Sequence, residues 1–230
     1  MTLPNLDDNA AEDVLRYAMQ EFDGKVGLAS SFGAEDVVLM NMMAKIDAEK
    51  AYVFTLDTGR LPYETYSVFD EFKKKYPTLT IHTFYPDTNA VEEMVTQQGP
   101  NLFYESIANR KKCCDVRKVD PLKRALSGLD AWITGLRREQ SVTRTEVAKV
   151  ENDTGFGLVK FNPLADWSEA DVWEYIRKNN VPYNSLHDKN YPSIGCAPCT
   201  RAVKEGEDIR AGRWWWESPD LKECGLHVKG

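Results

Sequence analysis

Short apolar runs alternate with stretches of helical periodicity along most of this chain, and that alternation restricts its fold more than any other feature. Residues 8–22, for example, place Val14, Leu15 and Ala18 on one face of a helix. Strands that alternate with helices predict a parallel sheet, because parallel neighbours need a long crossover connection. We therefore predict an α/β fold with a twisted parallel sheet and flanking helices. The predicted strands are residues 25–30, 51–56, 78–84 and 131–134, and the predicted helices are residues 8–22, 34–44, 62–75, 88–97, 120–126 and 168–178.

The chain changes character after the last predicted helix. Pro182, Pro192 and Pro198 interrupt it, and no long apolar period follows. The final residues show no pattern from which a core of their own could form, so we expect a mobile tail. We accordingly divide the chain into an α/β domain of residues 1–204 and a C-terminal tail of residues 205–230.

Charge and hydropathy argue against several classes of function. The net charge is −7, from 29 basic and 36 acidic residues, whereas a general nucleic-acid binder needs a basic surface. No apolar run approaches the roughly 20 residues of a membrane span, and residues 1–8 show no secretory signal. We expect a cytoplasmic protein that binds neither nucleic acid nor membrane. Basic residues crowd around residues 113–114, and either a solvated face or an anion site explains them.

Two loops at the ends of predicted strands have the residues that a nucleotide site needs. Ser30 and Gly33 belong to a small-residue turn between a strand and a helix, where backbone N–H groups can approach an anion. Asp57 and Thr58 follow the next strand. Each loop alone is equally an ordinary strand–helix turn with a capping side chain. Together, at one edge of a parallel sheet, they favour a nucleotide cleft.

Five cysteines form three groups, and in a cytosolic protein they indicate metal or redox chemistry rather than a disulfide framework. Cys113 and Cys114 are adjacent, Cys196 and Cys199 form a C-x-x-C, and Cys224 lies near the C-terminus. The first four could supply thiolates to zinc or to an iron–sulfur cluster, and spacing alone does not separate the two. A redox disulfide at the C-x-x-C and simple burial of the adjacent pair also stay open.

Four sequence strings resemble those of the sulfonucleotide reductases, the enzymes that reduce adenylyl sulfate (APS) or phosphoadenylyl sulfate (PAPS). The strings are S-F-G-A-E-D after the first strand, L-D-T-G after the second, G-L-R-R-x-x-S-x-x-R over residues 135–144, and E-C-G-L-H near the C-terminus. The resemblance extends from about residue 23 to the end. It implies the fold of adenine nucleotide alpha-hydrolases, similar to that of ATP pyrophosphatases.

Within that family the cysteine set resembles the iron–sulfur APS reductases most closely. The C-C and C-x-x-C strings imply a 4Fe–4S cluster on Cys113, Cys114, Cys196 and Cys199. The E-C-G-L-H string implies that Cys224 is the catalytic nucleophile, carried on the C-terminal tail. The substrate-binding residues on this interpretation are Ser30, Gly33, Asp57, Thr58, Lys118, Arg144, Arg210 and Arg213.

The resemblance also implies a reaction and its partners. Cys224 would attack the sulfur of APS, release AMP and carry an S-sulfonate, and thioredoxin or a similar dithiol would then release sulfite. This chemistry belongs to sulfate assimilation and cysteine biosynthesis. Family members are often homo-oligomers. The alternatives are a PAPS or dual APS/PAPS reductase, an ATP pyrophosphatase-type thiolation enzyme, and a non-catalytic zinc-binding module.

Overall fold

The computed structural model of the chain describes residues 3–140 and 147–218. Seven α-helices and six strands are found in these ranges. No helix in the described part of the chain combines the length and the apolar character that crossing a bilayer requires. The helices are α1 (Ala11–Glu21), α2 (Ala34–Asp47), α3 (Tyr63–Lys75), α4 (Thr88–Gln98), α5 (Ile107–Cys114), α6 (Asp120–Leu126) and α7 (Glu169–Lys178), and the strands are β1 (Val26–Ser30), β2 (Val53–Leu56), β3 (Ile81–Phe84), β4 (Ala131–Ile133), β5 (Val150–Asp153) and β6 (Leu158–Phe161).

The six strands form one sheet in the order β3-β2-β1-β4-β6-β5. The pairs β1–β2, β1–β4 and β4–β6 are parallel, as the alternation of strands and helices predicts. The exception is β5, which pairs antiparallel with β6 through a tight turn closed by Gly157, at φ 69°. The predicted α/β class and the parallel arrangement are confirmed, whereas this hairpin was missed.

Helix α2 forms the centre of the main core. It is apolar almost all the way round, and its buried side chains include Val37, Leu39 and Met42. Such a helix needs cover on every side, and β1, α1 and α7 pack around it. The predicted start of α7 is also confirmed. The Ser168 hydroxyl accepts from the Asp171 backbone N–H while the Asp171 carboxylate accepts from the Ser168 N–H, which is a complete capping box.

The chain divides into two compact units. The first contains the described residues of Met1–Thr55, Ser67–His82 and Leu126–Asn184, and the second contains those of Leu56–Tyr66, Thr83–Ala125 and Ser185–Gly230. The first unit includes α1, α2 and α7 with the core just described. The second has a smaller core of Met94, Leu102, Phe103, Cys199 and Trp214. Trp214, which follows the expected boundary between residues 204 and 205, packs in the same core as Cys199. The division into a domain of residues 1–204 and a tail of residues 205–230 stays a prediction.

Candidate active site around four cysteines

The adjacent cysteines end helix α5, inside the second unit. Ser106 caps this helix by accepting from the Asn109 N–H at 3.1 Å. A single π-helical turn, Asp115–Val119, follows Cys114 directly and runs into α6. Such turns are rare and are found mostly at functional sites. The turn keeps Cys113, Cys114 and Lys118 along one continuous helical segment, so that all three line the same cavity.

The C-x-x-C forms a short 3₁₀ turn, Ala197–Cys199, preceded by Cys196. Two contacts bind it to the loop after β2. The Ala197 N–H donates to the Arg60 carbonyl at 2.8 Å, and Thr58 Oγ1 lies 3.2 Å from Cys196 Sγ. Thr58 is completely buried, and its carbonyl accepts from Arg117 at 2.6 Å. The predicted nucleotide loop and the predicted metal ligands are therefore direct neighbours.

All four of these cysteines line one small cavity of about 20 Å³ in the second unit. None of the four forms a disulfide, and Cys199 is buried while the other three are half-buried. Four cationic side chains share the cavity wall. Lys118 was assigned to the site, Arg110 and Arg117 belong to the basic residues crowded around the first two cysteines, and Arg60 was not expected. The full lining is Arg60, Phe103, Arg110, Cys113, Cys114, Arg117, Lys118, Cys196 and Cys199.

Burial raises the thiol pKa values at this site. It raises the pKa of Cys199 to about 12, with the neighbouring Cys196 adding to the effect and Arg213 opposing it. It also raises the pKa of Cys113, against the lowering effect of Arg117. Two thiols that resist ionisation in one cavity are costly as free thiolates. They become favourable once a metal supplies positive charge and takes the place of the protons.

The chemistry of the donor set fits a metal centre. Four thiols line one cavity, and four thiolates suit either zinc or an iron–sulfur cluster. Within residues 3–140 and 147–218, no group of three or more His, Cys, Asp or Glu side chains is arranged to hold a metal ion. The 4Fe–4S cluster therefore stays a prediction.

The beginning of the predicted mobile tail is packed against the cysteines. Trp214 is 2% exposed, and its N–H donates to the Cys199 carbonyl at 3.2 Å. Arg213 is also buried and lies over the Trp214 ring, 4.9 Å from its centroid. Residues 205–218 thus contribute to the core of the second unit. Whether residues 219–230 are mobile stays a prediction, because they lie outside the described residues.

In the first unit, the loop after β1 is strained and internally bonded. Phe32 has a left-handed backbone, φ 59°, which is uncommon for a residue other than glycine and is often linked to function. Its N–H donates to the buried Ser30 hydroxyl at 3.2 Å. Ser31 donates both its N–H and its hydroxyl to Asp36, each at 2.7 Å. Gly33 begins α2 with an ordinary φ of −68° and no side-chain cap.

Burial raises the pKa of Asp36 to about 6, against the lowering effect of the hydrogen bonds from Ser31. This buried carboxyl group, at the start of α2, was not recognised from the sequence. The sequence feature that could have identified Asp36 is its position, because it is the last residue of the S-F-G-A-E-D string. The Ser31 donors that an anion would need are occupied by Asp36 in this structure.

Two arginines of the G-L-R-R-x-x-S-x-x-R string are paired within the first unit. The Arg137 Nε donates to Glu35 at 2.8 Å, and the pair is 6% and 18% exposed. Arg138 donates to the Val147 carbonyl at 2.8 Å. Both side chains are thus bonded to groups of the protein itself. The third arginine of the string, Arg144, lies outside the described residues.

The remaining predicted residues belong to the second unit. Asp57 is buried, and its carboxylate accepts from the Tyr66 hydroxyl at 3.0 Å and from the Gly59 N–H at 2.8 Å. Arg210 is half-buried in the segment before Trp214. Cys224 lies outside the described residues. The structure thus brings the four cysteines, Thr58 and Lys118 together, and it leaves the nucleophile assignment as a prediction.

Comparison with known proteins agrees with the motifs. The profile of the phosphoadenosine phosphosulfate reductase domain matches residues 25–202. A protein of Allochromatium vinosum named adenosine 5′-phosphosulfate reductase is 52% identical over 98% of this chain and 87% of its own length. A protein of the same name from Burkholderia cepacia is 51% identical over 94% of this chain and 86% of its own length.

Solved structures agree on the fold. The phosphoadenylyl-sulfate (PAPS) reductase of Candida auris superposes with a TM-score of 0.74 and 27% identity, over 88% of this chain and 99% of that one. Candida glabrata FMN adenylyltransferase superposes with a TM-score of 0.56 and 12% identity, over 93% of this chain and 75% of that one. The second likeness is one of fold alone.

Proposed function

This chain belongs to the phosphoadenosine phosphosulfate reductase family, and from that premise we propose that it reduces adenosine 5′-phosphosulfate to sulfite and AMP in sulfate assimilation. Relatives named for this activity are about half identical to the chain along nearly all of it. The observation that carries the proposal is local to the second unit. Four cysteines and four cationic side chains line one cavity, beside the loop of Thr58.

The reaction proceeds through Cys224. Its thiolate attacks the sulfur of APS, an S–S bond forms, and the bond between that sulfur and the phosphate oxygen breaks. AMP leaves with the electron pair, and the enzyme carries an S-sulfonate. A thiolate of a dithiol reductant, which we propose to be thioredoxin, then attacks the Cys224 sulfur and expels sulfite. The second thiol of the reductant resolves the mixed disulfide, so the dithiol supplies both electrons.

Cationic side chains have two tasks in this reaction. They favour the thiolate over the thiol, and they offset the charge that develops on the leaving phosphate. We assign these tasks to Lys118, Arg144, Arg210 and Arg213. Support for Lys118 comes from its place in the cavity wall. Arg213 is buried and lowers the pKa of Cys199, so its charge already acts within the site.

The cavity is proposed to hold a 4Fe–4S cluster on Cys113, Cys114, Cys196 and Cys199. When bound, such a cluster would link the two cysteine-bearing segments and set the local charge, and no electron transfer through it is needed. The support is the donor set of four thiols along one cavity, together with the burial of Cys113 and Cys199, which raises their pKa values and disfavours ionisation without a metal. Such thiols persist in a reducing compartment, which favours the cytoplasm.

Substrate contacts are proposed for each unit separately. In the first, Ser30 and Gly33 would contribute the loop at the start of α2, where the helix N-terminus favours an anion. In the second, Asp57 and Thr58 would contribute the loop after β2. Asp57 is held by Tyr66 and Gly59, which fixes its carboxylate in one orientation.

Turnover with APS and with PAPS, each with thioredoxin, tests the substrate. We expect AMP and sulfite from APS, with kcat/KM at least 100-fold higher than for PAPS. A preference for PAPS would support the function named for the Candida auris protein. ATP-dependent release of pyrophosphate would instead indicate a thiolation enzyme.

A Cys224→Ser variant tests the nucleophile. It should form no S-sulfonate while it keeps the iron and the brown absorbance of the anaerobically purified protein. Sulfite release at the wild-type rate would contradict the assignment. Iron and acid-labile sulfide, measured against zinc in the same samples, test the cluster.

A further inference from the structure

Arg110 and Glu217 form a buried bidentate ion pair within the second unit. Arg110 Nε donates to Glu217 Oε1 at 2.9 Å, and a terminal guanidinium nitrogen donates to Oε2 at 2.8 Å. The side chains are 1% and 3% exposed. A pair this deeply buried contributes little net free energy of folding, because two charges lose their hydration. We therefore look for a role of this pair other than stability.

The pair joins two specific parts of the chain. Arg110 stands one turn before Cys114 on α5, and its guanidinium also hydrogen-bonds the Cys114 side chain. Glu217 stands seven residues before Cys224. The ion pair therefore connects the helix of two candidate cluster ligands with the segment that leads to the candidate nucleophile.

Trp214 adds further contacts to this segment. Its ring centroid lies 4.7 Å from the Arg110 guanidinium and 4.9 Å from that of Arg213. Its backbone is left-handed, at φ 41°, and the Glu217 N–H donates to its carbonyl at 2.8 Å. Such a strained conformation persists only where several surrounding contacts hold it in place. The segment 213–217 is thus held by contacts of Trp214 as well as by the ion pair.

We propose that Arg110 and Glu217 are positioning residues, which fix the point and direction from which the chain continues to Cys224. This inference rests on the proposed function. Seven residues span at most about 25 Å, so the anchor limits where the thiol can be. Without it, Trp214 would be the last fixed point, because its N–H still donates to the Cys199 carbonyl, and the tether would lengthen from seven residues to ten. The longer tether by itself lowers the effective concentration of the Cys224 thiol at the substrate only about twofold. A larger fall in the S-sulfonation rate would therefore mean that the tether has lost its fixed direction.

Glu217→Gln tests the proposal, because it keeps the shape and removes the charge that holds Arg110. The assay is single-turnover S-sulfonation of Cys224 with saturating APS, followed by mass spectrometry. We expect the rate to fall at least fivefold, with KM for APS and iron content within twofold of wild type. A fall of twofold or less would overturn the proposal. A slow rate with a parallel loss of iron would also overturn it, because the effect would then act through the cysteine centre.

The matched control is Glu207→Gln. Glu207 makes a bidentate pair with Arg201 on the same segment, at 2.7 and 2.9 Å, and that pair is half-exposed. This variant should S-sulfonate Cys224 at the wild-type rate. Wild-type protein that itself forms no S-sulfonate from APS would refute the proposed function and not the positioning role specifically.

A second variant, Glu217→Asp, covers the case in which Glu217→Gln fails to fold. Aspartate keeps the charge opposite Arg110 on a side chain that is one methylene shorter. The variant should fold, with a melting temperature near that of wild type, and should S-sulfonate Cys224 within threefold of the wild-type rate. A well-folded Glu217→Asp variant that is more than fivefold slow would show that the charge pair does not position the nucleophile.

Discussion

Thr58 Oγ1 lies 3.2 Å from Cys196 Sγ, so a hydroxyl from the loop after β2 contacts a candidate cluster ligand directly. Hydrogen bonds to ligand sulfurs are among the factors that tune the reduction potential and solvent resistance of a cluster. Because Thr58 also accepts from the Arg60 N–H at 3.2 Å, one side chain links the predicted substrate loop with the cysteine centre.

Thr58→Val should weaken the cysteine centre without unfolding the protein. Valine keeps the shape but loses the contact to sulfur and leaves the Arg60 N–H without its acceptor, at a cost of about 1–3 kcal/mol. We expect faster bleaching of the brown absorbance in air and a changed midpoint potential. Thr58→Ser, which retains the hydroxyl, is the control and should behave like wild type. Equal bleaching of both variants would show that the contact has no effect on the site.

Gly33→Ala separates a packing role from a substrate role. A Cβ at Gly33 would meet only Ser31 Oγ at 3.5 Å and Asp36 Oδ2 at 3.9 Å, which are ordinary contacts, and φ is already −68°. Thermal stability should therefore change by less than about 1 kcal/mol, within the range of a surface substitution. KM for APS should rise at least tenfold, because the methyl group obstructs an anion at the helix N-terminus. An unchanged KM would remove Gly33 from the substrate site.

Asp36 predicts a pH dependence of stability. Its pKa is raised from 3.8 to about 6 by burial, so the folded state holds its proton to a higher pH than the unfolded chain does. The free energy of unfolding should fall as pH rises from 4 to 6, by up to about 3 kcal/mol, and stay level above that. Asp36→Asn should remove this slope and be the more stable protein at pH 7.5. Chemical denaturation of both proteins between pH 4 and 7.5 measures the difference, and parallel curves would contradict the prediction.

Gly212→Ala should destabilise the second unit. A Cβ there would lie 2.2 Å from the Arg201 carbonyl oxygen, and this carbonyl belongs to a backbone that pairs with Gly212 through the Arg201 N–H at 3.0 Å. Neither of these two backbone segments can move freely, so we expect the free energy of unfolding to fall by about 1–3 kcal/mol, as in an overpacked core. Gly206→Ala is the control for backbone strain alone, because φ is 82° there and nothing lies within 4 Å of a Cβ. An equal loss of stability in the two variants would show that the close approach of Gly212 to the Arg201 carbonyl does not determine the effect.

Much of the fold followed from patterns that are local in sequence. The period of α1, the capping box of Ser168 and the alternation of strands and helices each depend on neighbouring residues, and the structure agrees with all three. The β5–β6 hairpin was readable too, since residues 153–157 carry Asp and Gly between two short β-rich runs. It was missed because each run is only four residues long.

The candidate site was only partly predictable. The cysteine quartet and Thr58 belong to recognisable strings, and the structure brings them together. Arg60 and Phe103 line the same cavity, but no local pattern marks them, because their roles arise from the packing of distant segments. The same holds for Arg137, because its place in a motif gives no sign of the ion pair that it forms. Its partner Glu35 is 102 positions away in sequence.

The second unit is assembled from three separate stretches of the chain, so its parts are synthesised at different times. Cys113 and Cys114 leave the ribosome 82 or more residues before Cys196. At roughly 5–20 residues per second, that interval is about 4–16 s. For this time the first two thiols have no partners from the second half of the site and are open to oxidation or to stray metal ions. Insertion of the proposed cluster would therefore be a late event, and cells that are short of iron or exposed to oxidants during translation should lose newly made enzyme before they lose enzyme already folded.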